Sequence, residues 1–147
     1  PCFLRDEGAD GSYFGFPAIG MDSVKVGRHA HFREPIDPNQ PNPPVNARDT
    51  ALLDSFIARR VPAAAGPRVS AVTCRYTMLP SEDFLLDVTP GNPNVVVASP
   101  CSGHGFKFTS VVGEILADLA LQGGTSLPVA AFSFDAMNRF VSARKSA

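Results

Sequence analysis

The stretch that most restricts how this 147-residue chain can fold lies near its end. An apolar run, Val95-Val96-Val97-Ala98, leads into a turn-rich loop, Pro100 to Gly105, and then into a periodic pattern from Thr109 to Gln122. The apolar run reads as a strand covered on both faces. The pattern reads as a helix with Val112, Ile115, Leu116 and Leu119 on one side, stopped by Gly123-Gly124. A strand–loop–helix of this kind leaves free backbone N–H groups at the helix start, where negative charge is favoured by roughly 0.3–1 kcal/mol per exposed charge. Gly103 and Gly105 carry no Cβ, so a flat ligand can approach the backbone, and Lys107 adds a full positive charge. On these grounds alone the loop is an anion-friendly helix entry or simply a tight turn.

Upstream, Pro1 to Gly11 reads as a loop or ragged edge. Ser12 to Ile19 and Ser23 to Phe32 read as two strands of a hairpin, with Lys25, Gly27, His29 and His31 on one face. Five prolines between Pro35 and Pro44 exclude a helix or a central strand there. Asn46 caps a following helix that carries Asp49 in its first turn, Leu52, Leu53, Phe56 and Ile57 at helical spacing, and Arg59-Arg60 before Pro62. Arg68 to Leu79 reads as a long strand, and Phe84 to Val88 and Asn94 to Ala98 as two more around Pro90-Gly91-Asn92-Pro93. A short strand at Val129 to Phe132 and a brief helix near Ala136 to Ser142 complete an α+β order.

The near-neutral charge, with 13 Lys+Arg against 14 Asp+Glu, makes nucleic acid a poor partner. No apolar run reaches the roughly 18 residues of a membrane span. The three cysteines, Cys2, Cys74 and Cys101, are too few and odd in number for a disulfide framework. With no leader-like start and no Ser-Lys-Leu ending, they point to a reducing, cytoplasmic setting. His29-x-His31 and Cys101-x-x-His104 are metal-ligand types, but without a paired CxxC the expectation is no metal. No Gly-x-Ser-x-Gly hydrolase elbow is present.

The chemistry-bearing residues carry a resemblance. Ser102-Gly103-His104-Gly105-Phe106-Lys107-Phe108 after an apolar strand is similar to the flavin-contacting motif of the monomeric sarcosine oxidase and N-methyltryptophan oxidase family. Cys74-Arg75-Tyr76-Thr77 resembles that family's Cys-x-Tyr-Thr, and Pro80 with Asp83-Phe84-Leu85-Leu86-Asp87 resembles its Pro-Asp-x-x-Phe-x-x-Asp, with a shift of register around Pro80. Phe16-Pro17 and Lys25-Val26-Gly27-Arg28-His29 resemble its Gly-Phe-Pro and Lys-x-Gly-x-His. The similarity runs from about Phe14 to about Phe140.

The resemblance implies FAD as cofactor, joined covalently to Cys74 through the flavin 8α carbon. Gly103, His104, Gly105, Phe106 and Lys107 would be further cofactor contacts. Lys25 would lie near flavin N5 and help O₂ accept electrons, and His29 would contact substrate. Both could line one cavity about 13 Å long if the strand alternation holds. Lys107 would neutralise the flavin's pyrimidine end or hold a substrate carboxylate. Phe14, His29, Tyr76, Gly103 and His104 would wall the substrate pocket, Phe14 standing where relatives can carry a tyrosine. The substrate class would be small secondary amino acids, N-methyl or cyclic, oxidised at the C–N bond with O₂ reduced to H₂O₂.

No Gly-x-Gly-x-x-Gly for a dinucleotide is present. The expectation is therefore that residues 1–72 are part of a substrate-binding, catalytic domain and 73–147 the C-terminal segment of an FAD-binding domain. The N-terminal dinucleotide-binding segment is absent, so the missing FAD-binding half is the expected partner. The fragment by itself would be inactive and would expose apolar surface. The alternative is a non-catalytic remnant, or a subunit that pairs with a separate FAD-binding chain.

Overall fold

The computed structural model describes residues 1–146. Its fold is mixed α+β, with two small antiparallel sheets and three helices. The chain forms two compact units, Pro1–Arg75 and Tyr76–Ala147.

In the first unit a three-stranded sheet has the order β1 (Phe3–Asp6), β2 (Ser12–Phe16), β3 (Lys25–Arg28). Pro17 ends β2, as a residue without an N–H should. The β2–β3 hairpin is the expected one, with Phe14 opposite Gly27 and Phe16 opposite Lys25. β1 corrects the reading of Pro1 to Gly11 as a loop: Leu4 pairs with Phe14 and Asp6 with Ser12. It is an edge strand whose side chains are mostly exposed, so ladder hydrogen bonds hold it and no buried pattern announces it.

Helix α1 (Ala47–Arg60) starts at a complete capping box. The Asn46 side chain accepts from the Arg48 and Asp49 N–H groups, and the Asp49 carboxylate accepts from the Asn46 N–H at 2.9 Å. Phe56 on this helix is fully buried, and its ring stacks on Tyr13 at 4.0 Å with an interplanar angle of 3°. Full burial of one such side chain contributes about 1.5–3 kcal/mol. At the far end Arg60 donates to Glu7 at 2.7 Å, and Arg5 pairs with the same carboxylate. The Arg60 hydrogen bonds, then those of Arg5, hold Glu7 down to a pKa of about 2.

The strand expected over Arg68 to Leu79 does not form; residues 67–79 are irregular. Alternation is necessary for a strand but not sufficient, because a strand exists only in a ladder. Here the backbone bonds elsewhere: the Thr73 carbonyl accepts from Asn42 Nδ2, and the Thr77 carbonyl from the Ser102 N–H.

The second unit is built on a hairpin of β4 (Leu85–Val88) and β5 (Val96–Ser99). Phe84 and Leu86 pack with Val112, Ile115 and Leu119 of α2 (Thr109–Gln122). The spacing 112, 115, 119 is the helical face the sequence predicts. Gly123 takes the left-handed conformation at φ 71°, closing the helix. β5 is not covered on both faces: Val95 and Ala98 are exposed, and β5 pairs only with β4 among the described residues. The expected strand at Val129 to Phe132 is instead a 3₁₀ turn, Ala130–Phe132. It leads directly into α3 (Phe134–Lys145), longer at both ends than the sequence suggests. Ser133 caps α3 through Ala136 N–H, and Asp87 Oδ2 accepts the Phe134 N–H at 2.9 Å. These two side-chain oxygens accept from N–H groups that a helix start leaves without an intrahelical partner.

Candidate functional site

The hairpin of the first unit has two unlike faces. Tyr13 and its neighbours turn towards α1. The other face carries Phe14, Phe16, Lys25 and Gly27, which lie opposite one another across the ladder. A Cβ at Gly27 would fall 2.5 Å from the Phe14 ring, so glycine lets that ring lie flat on β3. Lys25 Nζ sits 5.9 Å from the Phe14 ring centre and 5.8 Å from that of Phe16. Each contact of this kind contributes about 0.5–1 kcal/mol when exposed. The structure thus brings Phe14 and Lys25 together on one open, aromatic, cationic surface.

His29 goes elsewhere. Its N–H extends the ladder by donating to the Ser12 carbonyl at 2.8 Å, but β3 has already ended at Arg28. The chain then reverses through Ala30 at φ 49° and Arg33 at φ 54°, with the Arg33 N–H on the Ala30 carbonyl. His29 lines a groove of about 400 Å³ with Asp6, Ser12, Arg28, His31 and Arg33. Lys25 is not part of that lining. Lys25 and His29 therefore do not share this groove: β3 ends at Arg28 and the chain turns immediately after His29.

This turn is strongly held, a feature the sequence reading missed. Arg28 donates to the Asp10 carbonyl at 2.9 Å and also to the His31 carbonyl. His31 Nε2 is 3.3 Å from Asp49 Oδ1, and the Arg48 guanidinium lies 3.6 Å from the Phe32 ring centre. Two left-handed non-glycine residues cost on the order of 1–3 kcal/mol each, which these contacts offset.

Cys74 lies in the irregular segment, with its side chain exposed. Tyr76 is half-buried and opens the second unit. The loop after β5 contains the remaining candidates. Its keystone is Ser102, which the sequence motif contains but to which no role was given. Ser102 is 1% exposed and sits at φ 42°. Its Oγ donates to the Asp83 carbonyl at 2.7 Å, and its N–H donates to the Thr77 carbonyl at 2.9 Å. No local pattern signals this, since Asp83 and Thr77 lie 19 and 25 residues before Ser102.

Gly103 follows at φ 78°, and the His104 and Gly105 N–H groups both donate to the Cys101 carbonyl. A Cβ on Gly105 would lie 1.5 Å from the Pro100 oxygen, so no other residue fits this loop as built. His104 is anchored: Nε2 is 3.1 Å from the Glu82 carbonyl, to which an Nε2–H would donate, and its ring lies 5.1 Å from Phe84. A 3₁₀ turn, Phe106–Phe108, precedes α2, which has no side-chain cap. The Phe106 ring is 94% exposed, and Lys107 Nζ stands 5.3 Å from the Phe108 ring centre. Gly103, His104, Phe106 and Lys107 are exposed on this loop, and Gly105 is buried within it. Among the described residues no three His, Cys, Asp or Glu side chains gather to hold a metal ion, and no helix is long and apolar enough to cross a membrane.

The sequence of this chain is similar to those of known proteins. A family model described as FAD dependent oxidoreductase matches residues 2–119. The monomeric sarcosine oxidase of Bacillus sp. (strain NS-129) is 40% identical over 137 residues, 92% of this chain and 35% of that protein. That of Streptomyces avermitilis is 35% identical over 136 residues, 90% of this chain and 35% of that protein. The N-methyl-L-tryptophan oxidase of Salmonella typhi is 37% identical over 122 residues, 82% of this chain and 32% of that protein. The chain spans about a third of the length of these curated relatives. With well over half of its residues inside the matching model, the chain belongs to the FAD-dependent oxidoreductase family.

Proposed function

We propose that this chain is part of a flavoprotein oxidase acting on the C–N bond of a secondary amino acid, N-methyl or cyclic. The observation that carries the reading is the similarity to sarcosine and N-methyltryptophan oxidases across most of the chain. The residues present fit an anionic, planar cofactor. They offer an exposed thiol, an exposed aromatic ring at Phe106, a tight loop built around Gly105, and a helix start without a side-chain cap.

FAD, when bound, supplies the hydride acceptor and the route of electrons to O₂, with H₂O₂ as product. Cys74 would hold it covalently, and Gly103, His104, Gly105, Phe106 and Lys107 would contact it. Lys107 would balance negative charge on the cofactor or on a substrate carboxylate. Lys25, on its aromatic face, would place a cation where oxygen takes up electrons, stabilising the charge that develops there. His29 would hold the substrate from its groove, and Phe14 and Tyr76 would exclude water from the reacting amine. In this reading residues 1–72 belong to a substrate-binding domain and 73–147 to an FAD-binding domain completed by a dinucleotide-binding half.

The test is a panel of N-methyl and cyclic amino acids offered to the full-length protein and scored by peroxide release. Acid precipitation of the same protein reports whether flavin stays bound. Peroxide with at least one secondary amino acid, and yellow acid-stable protein lost in Cys74→Ser, are the expected results. A stable, colourless protein would instead favour a non-catalytic remnant or a subunit of another assembly.

A further inference from the structure

The proline-rich loop at 35–44 belongs to neither sheet and to no helix, yet it is ordered by its own bonds. Asp37 Oδ1 accepts from the Asn39 N–H at 2.9 Å, and the Gln40 N–H donates to the Asp37 carbonyl at 3.1 Å. Three oxygens of this loop then accept from a single side chain, the guanidinium of Arg75. Its Nη1 donates to the Pro38 carbonyl at 2.7 Å, its Nη2 to the Gln40 carbonyl, and its Nε to Asn42 Oδ1. Asn42 completes the arrangement by donating Nδ2 to the Thr73 carbonyl at 3.1 Å.

Cys74 is thereby held from both sides. The residue before it is fixed by its carbonyl, and the residue after it by its guanidinium. The segment 67–79 has no ladder or helix of its own, so ties of this kind decide where the thiol stands. The loop suits the task because proline restricts its conformations before any bond is made. Arg75 suits it because a planar fork of donors can meet several oxygens at once, which an ammonium cannot do with the same geometry.

We propose that the proline-rich loop, acting through Arg75 and Asn42, is a positioning device that sets the pose of Cys74 for covalent flavin attachment. The proposal rests on the reading of Cys74 as the attachment point. Formation of the thioether breaks the Cys74 S–H bond and one C–H bond of the flavin 8α methyl group and makes the C–S bond. Two protons leave, and two electrons pass through the ring system to O₂ as terminal oxidant. That step needs the sulfur aimed at one carbon, so a small displacement slows it steeply.

The experiment uses the full-length protein with Arg75→Met, Arg75→Lys, Asn42→Ala and Cys74→Ser. Two quantities are read: the rate at which flavin becomes acid-stable, and the rate at which a small neutral maleimide alkylates Cys74 in flavin-free protein. Arg75→Met and Asn42→Ala should slow attachment by roughly ten- to a hundredfold while total flavin content is retained, and Arg75→Lys should recover only part of the rate. Their alkylation rates should also shift, since the thiol is no longer held. Wild-type attachment rates in both clamp variants would overturn the proposal. If Cys74→Ser still held acid-stable flavin, the attachment reading itself would fail. The clamp would then be judged by alkylation alone, and unchanged alkylation in Arg75→Met would sink it.

Discussion

The two units of this chain are held together in different ways. The second has a core of several apolar side chains, mostly aliphatic, with Phe84, Leu86, Val112, Ile115 and Leu119 packed between hairpin and helix. The first buries only two large side chains fully, Tyr13 and Phe56, and they face each other as a stacked pair. The rest of the first unit is tied by side chains that reach backbone or opposite charge, such as Arg28, Arg60 and Arg75. A core of many aliphatic contacts spreads its stabilisation and tolerates the loss of one methylene. A unit pinned by one aromatic pair and a set of directed polar contacts does not.

The sharpest way to break this comparison is Phe56→Ala. It removes half of the only fully buried ring pair and should cost about 3–5 kcal/mol in urea unfolding of the full-length protein. A loss below about 1 kcal/mol would mean that the polar ties, and not the stack, hold the first unit. Next in size is Ser102→Ala in the flavin-loop candidate. It removes the Oγ–H donor to the Asp83 carbonyl and should cost about 0.5–1.5 kcal/mol. Hydrogen exchange at Leu79 and Gly103 should rise with it; unchanged exchange would place the strength of the loop in Gly105 instead. In the aliphatic core, Ile115→Val should cost about 0.5–1.5 kcal/mol, and less than Phe56→Ala in the same assay. Equal costs would erase the contrast between the units.

The smallest effect at neutral pH concerns Glu7. Its carboxylate has a folded pKa of about 2 against an ordinary 4.5, lowered first by Arg60 and then by Arg5. A depressed acid stabilises the fold fully above its ordinary pKa and loses that contribution as pH falls towards the folded value. The first unit should therefore weaken between about pH 4.5 and pH 2, and Glu7→Gln should flatten that part of the profile. An identical acid profile in the variant would remove the ion pairs of Glu7 from the account.

Much of the candidate site was legible because its residues lie in short, contiguous motifs. The loop from Ser102 to Lys107 and the run from Lys25 to His29 could be picked out through their resemblance to a family's motifs. Their partners could not. Arg75 meets oxygens more than thirty residues away in sequence, and Ser102 meets Asp83 across a hairpin. The separation of His29 from Lys25 was equally hidden, since it depends on a turn at Ala30 that a non-glycine residue gives no reason to expect.

Local energetics determined from the sequence where helices begin and end. The Asn46 capping box, the Gly123 stop and the apolar faces of α1 and α2 act over four residues at a time, so the sequence contains their causes. The tertiary structure decided which extended segments became strands. Phe3 to Asp6 found a ladder although its side chains are mostly exposed, and residues 67–79 did not although they alternate. A strand is made by its neighbour's N–H and C=O groups, and a neighbour distant along the chain leaves no mark on the local pattern.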